Sequence, residues 1–110
     1  MKISQKNAKC LGLDKKDPLC LKNIFNLLGN INRFRIFCAL IKHDKLTSQD
    51  IYNILKISKL LSGKHLRILE LNQVLLKKKS GSSVFYSLNL GNRSVKVAKA
   101  AFISFYKDSI

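Results

Sequence analysis

Apolar residues recur at helical spacing along most of the chain, and short polar breaks divide this pattern into segments. The first segment begins at Asp17-Pro18, where aspartate can cap a helix and proline suits its first position, and it ends at Gly29-Asn30. A second helix is predicted from about 31 to 42, and a last one from about 93 to 106. These helices flank a central stretch with a different pattern.

The central stretch, residues 46–88, begins with two short helices. Thr47 can cap the first of them, and Asp50 three residues later completes a capping-box pattern. Ser58 is a natural cap for the second helix, which is predicted to continue to about Leu71. The two helices are therefore joined by a tight turn.

A β-hairpin is predicted after these helices. Two apolar runs, at 74–76 and 84–88, flank a basic turn over residues 77–83. Two helices joined by a tight turn and followed by a basic hairpin form a winged helix-turn-helix, which places a helix N-terminus in the major groove of DNA. The sequence therefore predicts a mainly α fold with a β-hairpin wing.

The first and last predicted helices carry more apolar residues than one side of a small domain buries. The simplest explanation is a second shared surface in an isologous dimer, and the alternative is that both helices only complete a monomer core. The residues predicted to form the dimer interface are Leu21, Ile24, Leu28, Val97, Ala101 and Phe105.

The charge of the chain favours a polyanionic partner. Twenty-one Lys and Arg residues are present against six Asp and Glu, for a formal net charge of +15. Such a field attracts DNA, RNA or an anionic membrane surface, and the alternative is a basic surface that is only solvated. Residues 1–16 share the excess and are predicted to form a basic flexible arm before a winged helix-turn-helix domain at 17–110.

Other classes of function have little support in the sequence. No apolar run approaches the roughly 18 residues of a transmembrane helix, and the first ten residues lack the apolar core of a signal peptide. We therefore expect a cytoplasmic protein without a membrane partner. Three cysteines without paired spacing and two histidines form neither a disulfide framework nor a tetrahedral ligand set, so no metal or cofactor is expected. Without a Gly-rich phosphate loop or paired carboxylates, the chain is predicted not to be an enzyme.

The sequence resembles the ArsR/SmtB family of small bacterial winged-helix repressors over roughly residues 24–106. The similarity is carried by residues 28–36, which resemble the family's L-x-D-P-T-R-L-R-I motif, and by residues 45–51, 65–69 and 84–88. The resemblance implies a homodimer, built on the first and last helices, that releases operator DNA on binding a metal or reacting with a thiol-directed signal.

The metal-sensing patterns of the family are absent. Thr47 and Gln49 stand where the family has a cysteine pair, and residues 92–110 contain no His and no Cys. Metal sensing at either usual family site is therefore not expected.

The second helix of the helix-turn-helix also departs from the family pattern. Ser62 replaces a core valine and Gly63 replaces a contact serine, while Leu60 and Leu61 stand where small polar residues usually face the groove. Either the leucines contact thymine methyl groups, or Leu61 rotates inward to replace the missing valine. We favour the inward rotation of Leu61.

The residues predicted to contact DNA lie at the starts of the two central helices, along the second of them, and on the wing. They are Thr47, Ser48, Gln49, Ser58, Lys59, Lys64, His65, Arg67, Lys77, Lys78, Lys79 and Ser82. Lys59 is expected to read a guanine edge. The predicted function is a transcriptional repressor that binds double-stranded operator DNA as a homodimer. The alternative is a winged-helix interaction module that binds protein and has lost sequence-specific DNA binding.

Cys38 resembles the second-helix cysteine of the family's thiol-based, persulfide-sensing branch. That branch has its partner cysteine on the last helix, where this sequence has none, so a switch would need Cys20 or Cys10 as the partner. A bridge also requires Cα atoms within about 7 Å of each other. The alternative is that Cys38 is a small buried hydrophobic residue, and release of DNA by thiol oxidation depends on which interpretation holds.

Overall fold

The computed structural model describes residues 21–107. The elements in chain order are α1 (Leu21–Leu27), α2 (Ile31–Lys42), β1 (Leu46–Thr47), α3 (Ser48–Leu55), α4 (Lys59–Leu71), β2 (Leu75–Ser80), β3 (Ser83–Leu88) and α5 (Arg93–Lys107). This order confirms the predicted mainly α fold with a winged helix-turn-helix. The predicted helix start at Asp17, the arm at 1–16, Cys10 and Cys20 lie outside the described residues.

Asparagine side chains mark where two of the helices begin. At the start of α2, Asn30 Oδ1 accepts the backbone N–H groups of Asn32 at 3.0 Å and Arg33 at 3.3 Å. At the start of α5, Asn92 Oδ1 accepts the N–H of Ser94 at 3.0 Å. Since the first N–H groups of a helix have no partner within it, these short polar side chains define where each helix begins.

Two arginines of α2 bind the C-terminal carbonyls of neighbouring helices. Arg33 Nε donates to the Leu27 carbonyl at 2.7 Å, at the end of α1. Arg35 donates to the carbonyls of Leu55 and Ile54, both at 3.1 Å, at the end of α3. Because a helix C-terminus carries unpaired carbonyls and a partial negative charge, each guanidinium both satisfies and fixes it.

The wing is longer than predicted. The β2–β3 hairpin pairs antiparallel from Leu75 opposite Leu88 to Ser80 opposite Ser83, with a two-residue loop that begins at Gly81. Gly81 has a φ of +60°, which favours glycine. The prediction of a turn over Lys77–Ser83 was therefore wrong in extent. Pairing with β3 holds Lys77, Lys78 and Lys79 in strand conformation, and their side chains remain exposed.

A third strand, β1, was not predicted. The sheet order is β1-β3-β2, with Leu46 opposite Tyr86 and Thr47 opposite Phe85. Two residues are too few to show strand alternation, so the pattern gave no signal for it. The pairing joins the start of α3 to the wing.

The core lies where the helices meet the buried side of the sheet. Its most buried large side chains include Ile36, Phe37, Ile51, Leu69 and Val95. The half-buried ring of Phe102 on α5 extends this core, 5.9 Å from the Phe34 ring and 6.5 Å from the Phe37 ring.

The six residues of the predicted dimer interface differ in their burial. Ile24 is 1% exposed and belongs to the core of the protomer itself. Contrary to the prediction, it therefore does not lie on an outer surface. Its position on α1 faces inward, and that face is already covered. Leu21 and Leu28 are half-buried, whereas Val97, Ala101 and Phe105 are exposed on α5.

Within residues 21–107, no single helix is long and apolar enough to cross a membrane. The pair α1 and α2 reaches that length and apolar content only when combined, and the two helices meet at a bend of 108°.

Candidate nucleic-acid interface

The start of α3 is held by a complete capping box. Thr47 Oγ1 accepts the Asp50 N–H at 3.0 Å, and the Asp50 carboxylate accepts the Thr47 N–H at 3.1 Å. These hydrogen bonds lower the pKa of the Asp50 carboxyl below its ordinary value. Because the Thr47 amide is already bonded, the exposed groups at this helix start that remain for a phosphate are those of Ser48 and Gln49.

The tight turn before α4 is also defined by local bonds. Lys56 ends α3 in the left-handed region, with a φ of 55°, and its N–H donates to the Tyr52 carbonyl at 3.0 Å. Ser58 Oγ then accepts the Leu61 N–H at 3.1 Å and caps α4. The first turn of α4 is therefore oriented by Ser58, which was predicted to be its cap.

The outward face of α4 carries basic and apolar residues together. Lys59, Leu60, Gly63, Lys64 and Arg67 are exposed. Positions 60, 63, 64 and 67 follow the spacing of one helix face. Of the residues predicted along this helix, Lys59, Lys64 and Arg67 lie where a groove could reach them.

His65 differs from the prediction that it contacts DNA. It is 7% exposed and lies beneath the surface, on the buried face of α4 with Ser62 three residues earlier. Burial lowers the pKa of His65, and the charges of Arg33 and Lys64 lower it further. Neither His65 Nδ1 nor Ser62 Oγ has a hydrogen-bond partner among the described residues.

The favoured inward rotation of Leu61 does not occur. Leu61 is 38% exposed, whereas Ser62 is 2% exposed and occupies the core position. The helical phase of α4 is set by its larger apolar residues Leu66 and Leu69, which are buried, so position 62 faces inward whatever residue it carries.

The wing carries three consecutive lysines, whose side chains alternate between the two faces of the sheet. Lys77, Lys78, Lys79 and Ser82 are all exposed. Lys78 pairs with Phe85, which in turn pairs with Thr47. Directly paired residues share a face of the sheet, so Lys78 projects on the same side as Phe85.

Lys45 belongs to the same side of the wing and was not among the residues predicted to contact DNA. Its Nζ lies 5.2 Å from the centroid of the Phe85 ring, a cation–π contact. The contact follows from the β1–β3 pairing, for which the sequence had no signal. Lys45 therefore adds a cation where the start of α3 meets the wing.

Cys38 lines a shallow cavity and lies on neither the outward face of α4 nor the wing. The cavity has a volume of about 390 Å³, and its lining includes Arg35, Lys42, His43 and Ile54. Burial raises the pKa of the half-buried Cys38 thiol, and a backbone hydrogen bond offsets part of the rise. Among residues 21–107, no group of three or more His, Cys, Asp and Glu side chains is placed to hold a metal ion.

Comparisons with known proteins identify the fold. No known family profile matches the chain. Reduced HlyU from Vibrio cholerae is 22% identical, with a TM-score of 0.69 over 93% of this chain and 94% of HlyU. The transcriptional repressor BigR from Xylella fastidiosa is 12% identical, with a TM-score of 0.65 over 94% of this chain and 97% of BigR.

A third similar structure is described as a winged helix-turn-helix domain. It is the homodimeric winged helix-turn-helix DNA-binding domain of Mb0332 from Mycobacterium bovis, described as a possible ArsR-family transcriptional regulator. It is 15% identical, with a TM-score of 0.69 over 97% of this chain and 90% of that domain. The chain therefore has the fold of these winged helix-turn-helix proteins.

Proposed function

We propose that this protein is a transcriptional repressor that binds double-stranded operator DNA as a homodimer and does not require a metal. The observation that carries the proposal is a winged helix-turn-helix whose second helix presents Lys59, Lys64 and Arg67 outward. BigR is described as a transcriptional repressor and the Mb0332 domain as DNA-binding, which supports the same role here. The role is non-enzymatic and cytoplasmic, and the proposed domain is 17–110 with a basic arm at 1–16.

Charge supports DNA as the partner. The chain carries a net charge of +15, and Glu70 near the C-terminal end of α4 is the only acid on that helix. In the proposed complex, α4 enters the major groove and Lys59 reads a base edge. Lys77, Lys78, Lys79 and Ser82 follow the adjacent backbone, with Ser48 and Gln49 at a second phosphate.

The proposed dimer uses the exposed apolar residues of α5. Val97, Ala101 and Phe105 recur at four-residue spacing along one side of the helix and are exposed in the protomer. Beside them is an apolar cavity of about 420 Å³, whose lining includes Phe25 and Leu28. Covering this surface with a second copy removes apolar area from water and places two α4 helices on a two-fold DNA site. The Mb0332 domain is described as homodimeric.

The test is salt-dependent binding to duplex DNA selected from a random pool, measured by fluorescence anisotropy. If a dimer neutralises roughly 6–10 phosphates, log K falls against log salt with a slope of about −5 to −9. Lys78→Ala is expected to weaken binding to all sequences alike. Lys59→Ala is expected to weaken binding and also to reduce the discrimination between selected and unselected DNA.

A contrary result has a defined meaning. If the folded protein retains no duplex at low salt, and neither lysine substitution has an effect, the DNA-binding proposal fails. The winged fold would then function as a protein-interaction module.

Release of DNA by thiol oxidation stays a prediction. HlyU is described as reduced in one of the neighbouring structures, which makes the question worth testing here. The raised pKa of Cys38 opposes it, since the thiolate is the reactive form of cysteine.

A further inference from the structure

Leu60, the second residue of α4, is the most exposed large apolar side chain of the described residues. It is 88% exposed, so the protomer covers almost none of it. An apolar side chain of this size gains free energy when another surface removes it from water. The proposed function places the first turn of α4 in the major groove of DNA. The surface that covers Leu60 is therefore that of the base edges in the groove.

The positive charges around Leu60 indicate that the surface covering it belongs to a polyanion. Lys59, Lys64 and Arg67 share the exposed side of α4 with it. An apolar protein surface would bury these cations without a partner, at a large cost in free energy, whereas the phosphates beside a major groove complement them.

Gly63 adds space for a close approach. It lies three residues after Leu60, on the same helix face, and apart from its chain neighbours and the adjoining backbone of α4, no described atom comes within 4 Å of the position that a Cβ would take. Packing within the protomer therefore does not require a glycine. With no side chain at this position, the edge of a base pair can come close to the helix backbone beside Leu60.

We propose that Leu60 reads the C5-methyl group of thymine, so that the protein prefers thymine at the base pair that faces the start of α4. The side chain of leucine has no hydrogen-bond donor or acceptor. Among the groups that the four bases present in the major groove, the C5-methyl of thymine is the apolar one. Contact removes apolar surface from water on both sides. This inference rests on the proposed DNA-binding function and names the base chemistry that its recognition helix takes.

The experiment removes the methyl group and nothing else from the base edges. Affinities are measured by anisotropy for alternating A-T and A-U duplexes of equal length, because uracil keeps the donors and acceptors of thymine. A second pair, alternating G-C duplexes with cytosine or 5-methylcytosine, adds the methyl group at the corresponding position. The proteins are wild type, Leu60→Ala and, as a matched control, Leu71→Ala, which removes an exposed leucine from the other end of α4.

We expect the wild type to bind the methylated member of each pair about fourfold more tightly per contacted methyl group, the factor for one buried methyl. Leu60→Ala is expected to bring this ratio close to one, whereas Leu71→Ala leaves it unchanged. Methyl groups also alter duplex shape, but that effect reaches all three proteins equally, so the part lost in Leu60→Ala isolates the contact. Far-ultraviolet circular dichroism establishes that each variant is folded.

The possible failures are distinguishable. If the wild type binds duplexes but shows no methyl preference, or if Leu60→Ala keeps the whole preference, the assignment to Leu60 is overturned and DNA binding stands. If the folded wild type binds none of the four duplexes at low salt, the proposed function is overturned together with the inference.

Discussion

Two polar atoms on the buried face of α4, Ser62 Oγ and His65 Nδ1, have no hydrogen-bond partner among the described residues. A buried polar group without a partner costs roughly 1–3 kcal/mol, because it has lost its bonds to water. The other face of the same helix carries the proposed DNA contacts. The two unpaired polar atoms therefore make the packing of α4 against the core less favourable than apolar side chains at these positions would.

Ser62→Ala is expected to raise the free energy of unfolding by about 1 kcal/mol, since it removes the unpaired hydroxyl and adds no volume. Ser58→Ala, four residues earlier, is expected to lower it by about 1 kcal/mol, because Ser58 Oγ accepts the Leu61 N–H. Ser104→Ala at an exposed position of α5 measures the gain in helix propensity alone. Urea unfolding provides the measurement, and a gain at Ser62 no larger than that at Ser104 would contradict the prediction.

The stability of the protein is expected to fall at acid pH because of His65. Its pKa is below the ordinary value of 6.5 in the folded protein and returns to that value on unfolding. As pH falls through 6.5, the unfolded chain takes up the proton first, so the stability present above 6.5 is lost toward the lower folded pKa. Arg33 and Lys64, the charges acting on His65, oppose its protonation in the same direction.

Urea unfolding at pH 7.5 and pH 5.5 tests this expectation. The loss of stability between the two pH values should be smaller in His65→Gln than in the wild type. An equal loss in the two proteins would assign the pH dependence to other groups.

Cys38 is expected to react slowly with thiol reagents at pH 7, because burial raises its pKa and little thiolate is present. A protein with Cys10→Ser and Cys20→Ser leaves Cys38 as its one thiol, and its rate with a disulfide reagent can be compared in native buffer and in urea. Polysulfide treatment followed by DNA binding tests sensing. Release by the wild type that is lost in Cys38→Ser would make Cys38 the switch.

At the scale of elements, the helix-turn-helix is held together by its helix ends. Arg35 on α2 binds the two carbonyls that end α3, and the capping box at Thr47 fixes where α3 begins. The β1–β3 pairing then ties this start to the wing. The orientation of the proposed DNA-contacting elements therefore depends on a few hydrogen bonds outside the core.

Arg35→Lys is expected to lower the free energy of unfolding by about 1–2 kcal/mol, because a lysine cannot reproduce the fork that reaches both carbonyls. Arg67→Lys, at an exposed position of α4, is the matched control and should change stability by less than about 0.5 kcal/mol. Thermal and urea unfolding measure both variants. Equal stability of the two would show that the Arg35 bonds contribute little.

At the scale of the whole molecule, the proposed dimer depends on α5. Phe105→Glu places a charge within the exposed apolar surface and is expected to convert the dimer to a monomer at micromolar concentration, with a loss of salt-dependent affinity for two-fold DNA sites. Ile103→Glu lies on a different side of the same helix and is the control. Sedimentation measures the state, and a wild type that is monomeric at micromolar concentration would remove the basis for the interface.

Local chemistry determined the helix boundaries, so these could be predicted from the sequence. A cap acts over three residues, as with Thr47 and Asp50 or Ser58 and Leu61, and it does not depend on the rest of the fold. The order of helices and hairpin, which defines the winged helix-turn-helix, followed from these boundaries together with the apolar periodicity.

Only the tertiary structure decided which side of each element faces inward and what pairs across the chain. Ile24 and His65 are buried and Leu61 is exposed because the packing of whole helices sets their phase, and a single position cannot reveal it. The β1 strand forms because one edge of β3 is not covered by β2 and can pair with another strand. The residues that it pairs with, Tyr86 and Phe85, lie nearly forty residues further along the chain. Contacts of that sequence separation depend on the assembled fold, which is why the surface joining α3 to the wing could not be predicted.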